Sequence, residues 1–185
     1  TWVQIATITC NTIASPADRL TLFRAMGASP SSGAVTIDFA GVSQELAIWS
    51  MNQFDGVDTT GTNGSGAVAG SATNNANSVT SLAVTLGAAS SATFGCFGIG
   101  GTNVMAPGTG FTALDDTTAF FTSCFTEWRA DGVTNVDCSW TGLSQNAAGI
   151  AVAILAASAG GRASKNVHPW PLGMNLGMEI GMPVT

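Results

Sequence analysis

Charged residues are scarce in this chain and make up 9% of its 185 residues, against about 25% in an average soluble protein. Only five residues are lysine or arginine, and the formal net charge is −6. Because so few scattered cations cannot neutralise a run of phosphates, nucleic-acid binding is not expected. No stretch reaches the roughly 18 apolar residues of a membrane-spanning helix, so a membrane partner is not expected either. A surface of small polar residues is typical of a protein that is packed into an assembly or displayed outside a cell.

Signatures of catalysis are also missing. The one histidine, His168, lies near the C-terminus, and no G-x-S-x-G motif accompanies it, so a serine hydrolase is not predicted. The glycines of residues 98–101 follow a predicted strand without a following helix, which indicates a turn rather than a nucleotide-binding loop. The sequence therefore predicts a protein that is not an enzyme and has no catalytic residues, cofactor or metal site.

The four cysteines are Cys10, Cys96, Cys124 and Cys138, and their spacing fits no metal-binding C-x-x-C pattern. Cysteine is among the most buried residue types, so we interpret all four as buried free thiols. A disulfide between Cys124 and Cys138, across neighbouring strands, is the alternative.

One group of acidic residues could form a metal site. Asp55 and Asp58, together with Asn63, could supply part of a calcium site, but they lack the dense D-x-D-x-D-G spacing. Because aspartate is an ordinary turn former, turn chemistry is the favoured interpretation.

Glu127 could form the carboxylate pair of a glycoside hydrolase with Asp131 or Asp137. Nothing in the sequence places these residues together, and Glu127 lies two positions from Arg129 on a predicted strand. A structural ion pair or exposure to solvent is therefore the favoured interpretation of Glu127.

Short strand-like runs recur along residues 1–157, separated by clusters of Gly, Ser, Asn, Asp and Pro. This pattern predicts a single all-β domain, an antiparallel β-sandwich of the jelly-roll or immunoglobulin-like type. The predicted strands cover residues 2–9, 18–25, 33–39, 44–54, 78–86, 91–99, 119–129, 133–140 and 147–156.

Two segments of this domain need separate treatment. Residues 119–129 also fit one face of a helix, but Phe, Thr and Trp dominate them, so we favour a strand. Residues 59–77 have almost no large apolar side chain and are predicted to form a surface loop.

Four tryptophans of the domain, Trp2, Trp49, Trp128 and Trp140, could form a platform on which sugars stack. We favour a place in the core between the sheets, because Trp49 and Trp140 lie inside apolar strands and the chain has no tyrosine.

Residues 158–185 are predicted to form an extended C-terminal arm. Residues 173–184 repeat a Gly-Met phrase three times, with a four-residue period that we interpret as neither strand nor helix. Prolines on both sides of Trp170 stiffen the segment, which lowers the entropy lost on docking. We therefore predict that the arm binds a neighbouring subunit; the alternative is that it folds back over its own sandwich. The predicted partner-binding residues are Trp170, Leu172, Met174, Leu176, Met178, Ile180, Met182 and Val184.

Several short motifs follow one another along the chain: DRLTLFRA at 18–25, GAVTIDF at 33–39, FDGVD at 54–58, PGTGF at 107–111, EWR at 127–129, SWT at 139–141 and GIAVAI at 149–154. With these motifs, residues 2–157 resemble the β-sandwich modules of phage virion proteins and bacterial surface proteins. The resemblance implies a virion structural protein at the particle surface, most simply a capsid decoration or stabilising subunit. Its partners would be capsid or other virion subunits, including copies of itself, and no enzymatic activity is implied. A phage tail or fibre component and a surface adhesin or carbohydrate-binding module are the alternatives.

Overall fold

A computed structural model describes residues 1–10, 18–27, 35–158 and 173–183 of the chain, the last range as backbone. Within these ranges the regular elements are strands, apart from a short 3-10 turn at Thr62–Ala67. The prediction of an all-β fold is therefore confirmed. The strands are β1 (Val3–Thr9), β2 (Arg19–Gly27), β3 (Gln44–Phe54), β4 (Val68–Val79), β5 (Ser81–Thr85), β6 (Ala92–Ile99), β7 (Met105–Pro107), β8 (Thr112–Ala119), β9 (Thr122–Arg129), β10 (Asn135–Trp140), β11 (Gln145–Ile154) and β12 (Gly173–Pro183).

The strands form three antiparallel sheets that stack as layers. One outer sheet has the strand order β1-β2-β12-β3, the middle sheet β4-β11-β6-β9-β8, and the second outer sheet β5-β10-β7. Two separate hydrophobic cores lie between the layers, one on each face of the middle sheet. The predicted antiparallel β-sandwich is confirmed, and it has three layers where jelly-roll and immunoglobulin-like sandwiches have two.

The central strands of the middle sheet are buried on both faces because they lie between the two outer sheets, whereas its edge strands β4 and β8 contain no buried residue. All eight residues of β6 are buried, as are the last eight of β11. Along β6 the faces alternate: Phe94 and Cys96 belong to the core beside the four-stranded sheet, whereas Phe97 and Ile99 belong to the core beside the three-stranded sheet. This double burial explains why these strands are continuous runs of apolar and small residues.

The strand predicted at 33–39 is wrong for the residues that the structure describes. Residues 35–39 pair with no strand, and Val35 is 45% exposed. The Asp38 side chain accepts a 2.8 Å hydrogen bond from the N–H of Ala40, which forms a local turn. Ala40 and Gly41 both have positive φ angles, 54° and 80°. Local side-chain bonding has replaced strand pairing here.

The surface loop predicted at 59–77 is also wrong for most of its length. Residues from Val68 onward form β4, a twelve-residue edge strand that pairs with β11 over nine positions. An edge strand gains its stability from backbone pairing with one neighbour, so small and polar side chains suffice. Ala72 and Ala76 add modest packing against the second core.

The strand predicted at 119–129 is confirmed against the helical alternative, but it begins later. Phe120 and Phe121 form the two-residue turn of a hairpin that joins β8 to β9. No turn signal is visible in the sequence, because Phe120, whose φ angle is 50°, occupies a position that normally holds Gly or Asn.

Candidate functional site

The C-terminal segment lies in the chain's own outer sheet. Strand β12 pairs antiparallel with β2 over nine positions and with β3 over ten, so it separates these two strands. The structure of the single chain thus shows the alternative considered above, in which the segment folds back on its own sandwich. Sheet pairing crosses the boundary that the sequence predicts at residue 157.

The interpretation of the four-residue period was wrong, because four is a multiple of the two-residue repeat of a strand. From 174 to 184 every even-numbered residue is apolar, and every odd-numbered residue from 173 to 183 is Gly, Asn, Glu or Pro. The register places Met178 opposite Leu22 and Ile180 opposite Leu20, and both leucines are fully buried. The even positions of β12 therefore share register with the core-facing residues of its neighbours.

The eight predicted partner-binding residues divide into two groups. Five of them occupy register positions in β12: Met174, Leu176, Met178, Ile180 and Met182. The other three, Trp170, Leu172 and Val184, lie outside the described residues. Binding of a partner by this segment stays a prediction.

A buried polar cluster lies where β3 meets the middle sheet. The Ser50 hydroxyl donates a hydrogen bond to the Asp115 carboxylate on β8. The Asn52 side-chain amide donates to Ser50 at 3.1 Å and to the Thr126 hydroxyl on β9 at 3.4 Å. Ser50 and Asn52 are each only 4% exposed, and the register places them opposite residues 178 and 176 of β12. These bonds fix the position of β3, and with it one side of the slot that holds β12.

Glu127 is fully buried in β9, which corrects the expectation of a solvent-exposed or ion-paired side chain. Its Oε2 accepts a 2.9 Å hydrogen bond from the N–H of Gly108, in the turn after β7. Its Oε1 has no hydrogen-bond partner among the described residues. Arg129 instead makes two 2.8 Å hydrogen bonds to Asp131. Glu127 thus anchors the PGTGF turn, a structural role for which no sequence pattern gave a signal.

Burial raises the pKa of the Glu127 carboxyl to about 8; the hydrogen bond from Gly108 opposes the rise and the charge of Asp137 adds to it. The group is therefore largely protonated at neutral pH. A protonated carboxyl is the form that tolerates an apolar site without a cationic partner.

An open groove of about 530 Å³ lies beside this turn, at one end of the sandwich. Its polar lining includes Thr109, Arg129, Asn135 and Asp137. Of the two carboxylates that the sequence could have paired for glycoside hydrolysis, Asp137 therefore lines this groove and Glu127 does not.

The aspartates considered for calcium accept hydrogen bonds from residues close to them in sequence. The Asp58 carboxylate accepts a 2.8 Å hydrogen bond from the N–H of Thr60, and hydrogen bonds from Thr60 lower the pKa of Asp58. The Asp55 carboxylate accepts a bond from the Gln53 side chain. Across the described ranges no group of three or more His, Cys, Asp and Glu side chains is placed to hold a metal ion.

The four cysteines are confirmed as buried thiols that form no disulfide. Cys124 belongs to the core on one face of the middle sheet and Cys138 to the core on the other, so the middle sheet separates them and the alternative disulfide does not form. Burial raises the pKa of Cys10 to about 12, and the nearby Asp18 charge adds to the rise. Cys10 is thus an unreactive thiol at neutral pH.

The tryptophan predictions are confirmed in part. Trp140 is 5% exposed and belongs to the second core, and Trp128 packs against the first core with an edge-to-face contact to Phe54. Trp49 is 56% exposed and Trp2 is 37% exposed, so the predicted core positions of these two residues are wrong. Trp49 is on β3 and Trp2 immediately precedes β1, at opposite edges of the outer sheet. The three strand spacings between those edges amount to about 14 Å, too far for one sugar ring to stack on both.

No family model matches the chain, and comparison with curated proteins and with solved structures gives no match either. In the part of the chain that the structure describes, no helix is long and apolar enough to cross a membrane.

Proposed function

We propose that the chain is a structural subunit of a virus particle, a capsid decoration or stabilising protein, whose C-terminal segment links it to neighbouring subunits. The observation that supports this proposal most directly is the position of β12. Strand β12 follows the sandwich in sequence and lies inside an outer sheet between two other strands. One subunit can therefore insert this strand into the sheet of another subunit.

The link would work by strand exchange. Without β12, strands β2 and β3 each present an unpaired edge, and an identical segment from a neighbour would satisfy both edges with the same register. Exchange of an identical element between copies requires no new interface chemistry.

The connection to β12 is long enough for exchange. Ala156 bridges to Val57, close to Phe54, where β12 begins its pairing with β3. The 14 residues from 159 to 172 can span up to about 46 Å when fully extended. The segment can therefore reach its own slot or the slot of an adjacent copy.

The composition is consistent with a packed particle. The chain carries few charges that would have to be desolvated when subunits pack closely, and its resemblance to virion modules implies the same setting. A tail or fibre subunit would use the same link and would differ in its position on the particle.

Two single cysteine variants test the link. Asn175 pairs with Gln53 across β12 and β3, so Asn175→Cys and Gln53→Cys chains that are co-expressed should form a disulfide between two chains if β12 is exchanged. The four native cysteines are buried, so a new disulfide is attributable to the introduced pair.

The matched control combines Gln53→Cys with Glu179→Cys, because Glu179 pairs with Trp49, four residues away from Gln53. We expect a disulfide-linked dimer on a non-reducing gel for the first pair and none for the control. A double variant that forms only an intrachain disulfide, with no linked dimer from the mixed single variants, would contradict the C-terminal link.

A further inference from the structure

A second surface lies at the end of the sandwich away from the groove, where three loops meet. The Ser123 hydroxyl, next to the β8–β9 turn, donates a 2.8 Å hydrogen bond to the Gly101 carbonyl. The Asn103 side chain donates to the Leu143 carbonyl at 3.1 Å. These bonds join loops 100–104, 120–121 and 141–144 at one end of the molecule.

These loops carry the four most exposed large apolar side chains among the described residues. Phe120 and Leu143 are each 79% exposed, Phe121 is 78% and Val104 is 71% exposed. We call these four residues the apolar tip. The three loops contain no charged residue. A group of large apolar side chains in this position indicates a contact surface.

Phe120 gives an independent reason to expect a contact. Its φ angle is 50°, in the left-handed region that bulky residues rarely adopt. Gly or Asn would form the same two-residue turn with less strain. An aromatic residue that is both strained and exposed gains nothing from the fold of its own chain, and such strain is typical of functional positions.

We propose that the apolar tip binds the apolar tip of a second copy of this chain. The contact would be isologous, with each tip packing against the other around a two-fold axis. This inference goes beyond the proposed function, because it concerns a surface that does not involve β12.

Charge favours a second copy over a membrane. Each copy carries a net charge of −6, so two copies repel each other across most orientations and approach most easily where the exposed loops themselves carry no charge. Surfaces that insert into membranes combine aromatic residues with lysine or arginine, and the three loops contain neither cation.

The area of the tip also fits a self-contact. Aromatic side chains bury roughly 150–250 Å² each, so two phenylalanines with their apolar neighbours provide on the order of 500 Å² per copy. Two copies then bury about 1,000 Å² in total, which is the lower limit for a specific interface.

Sedimentation velocity of the full chain between about 1 and 100 µM tests the proposal. We expect a dimer in rapid equilibrium with monomer, and at least a tenfold weaker association for the double variant Phe120→Asn, Phe121→Ser. Asparagine tolerates the left-handed conformation, so this variant keeps the turn. Trp49→Ser removes a side chain that is 56% exposed on the outer sheet and serves as the control, with unchanged association.

Three results would overturn the proposal: a wild-type chain that stays monomeric, a dimer that the double variant does not weaken, or a monomer that binds neutral phosphatidylcholine vesicles through Phe120 and Phe121. If the double variant fails to fold, Val104→Ser with Leu143→Ser supports the same test. A strand-exchanged dimer does not dissociate on dilution and sediments as a separate boundary. Failure of the tip contact is therefore distinguishable from failure of the C-terminal link.

Discussion

At the scale of single residues, the sequence predicts whether a side chain is buried better than it predicts which group that side chain contacts. The cysteines were placed correctly, because cysteine is among the most buried residue types and their spacing fits no metal-binding pattern. Glu127 was misplaced because its partner is a backbone N–H nineteen residues away, in the turn after β7. Trp49 was misplaced because alternate residues of an outer-sheet strand face solvent, and the sequence does not show which face that is.

The Glu127 carboxyl makes stability depend on pH in a defined direction. Its pKa is about 8 in the folded chain, against an ordinary value of 4.5, so the folded state holds more protons than the unfolded state between these values. The contribution of this group is fully favourable below pH 4.5 and is lost as the pH rises toward 8.

Glu127→Gln should therefore stabilise the protein relative to wild type at pH 9 more than at pH 5, because glutamine keeps an acceptor for Gly108 and cannot ionise. Urea denaturation of both proteins at the two pH values measures this difference. An advantage of the Glu127→Gln variant over wild type that is the same at both pH values would show that the carboxyl does not titrate as described.

A second residue-scale prediction concerns the spacing of the layers. A Cβ atom at Gly149 would lie 2.7 Å from the ring of Phe97 and 2.8 Å from a methyl group of Val84. Gly149→Ala should lower the free energy of unfolding by roughly 1–3 kcal/mol through overpacking between the sheets.

Gly70→Ala is the matched control, because a Cβ atom at Gly70 would have no neighbour within 4 Å. Denaturant titration should show a change within about 0.5 kcal/mol for this variant. Equal effects of the two substitutions would mean that the middle and outer layers are not packed as the structure shows.

At the scale of elements, strands with strong apolar runs could be predicted and strands with small residues could not. The run at 44–54 was predicted with the bounds that the structure gives to β3. Strand β4 was missed because its residues are small or polar and its pairing depends on β11, more than 60 residues away in sequence. Strand β12 was not predicted, because its repeated glycines form a four-residue period. The two-residue period of its apolar residues, which indicates a strand, was not recognised.

At this scale we predict how the deletion of β12 changes the stability of the protein. If the C-terminal segment lay outside the sandwich, its deletion would leave the stability of the sandwich unchanged. With β12 paired to both β2 and β3, a chain that ends at residue 172 should lose at least about 5 kcal/mol, at roughly 0.5–1.5 kcal/mol net for each lost backbone hydrogen bond.

Thermal denaturation of the shortened and full-length chains measures the loss. A synthetic peptide of residues 172–185 should raise the midpoint of the shortened chain, whereas a scrambled peptide of the same composition should not. Unchanged stability of the shortened chain would contradict the placement of β12.

At the scale of the whole molecule, the sequence predicts the class of fold but not its layering. Apolar residues on both faces of 92–99 and 147–154 indicate strands that are covered on two sides. Which strands cover them depends on pairings between distant segments, such as β1 with β2 on one face and β5 with β10 on the other. The apolar tip likewise arises only when three distant loops come together at one end.

The proposed assembly rests on the C-terminal segment being a strand with a neighbour on each side. Hydrogen–deuterium exchange of the full-length protein, followed by mass spectrometry, measures this most directly, because amides between two paired strands exchange only when the sheet opens. We expect the amides of residues 174–182 to be protected as strongly as those of β3, whether one chain or its neighbour supplies the strand. Exchange of these amides at the rate of an unstructured peptide, while β3 stays protected, would contradict the account.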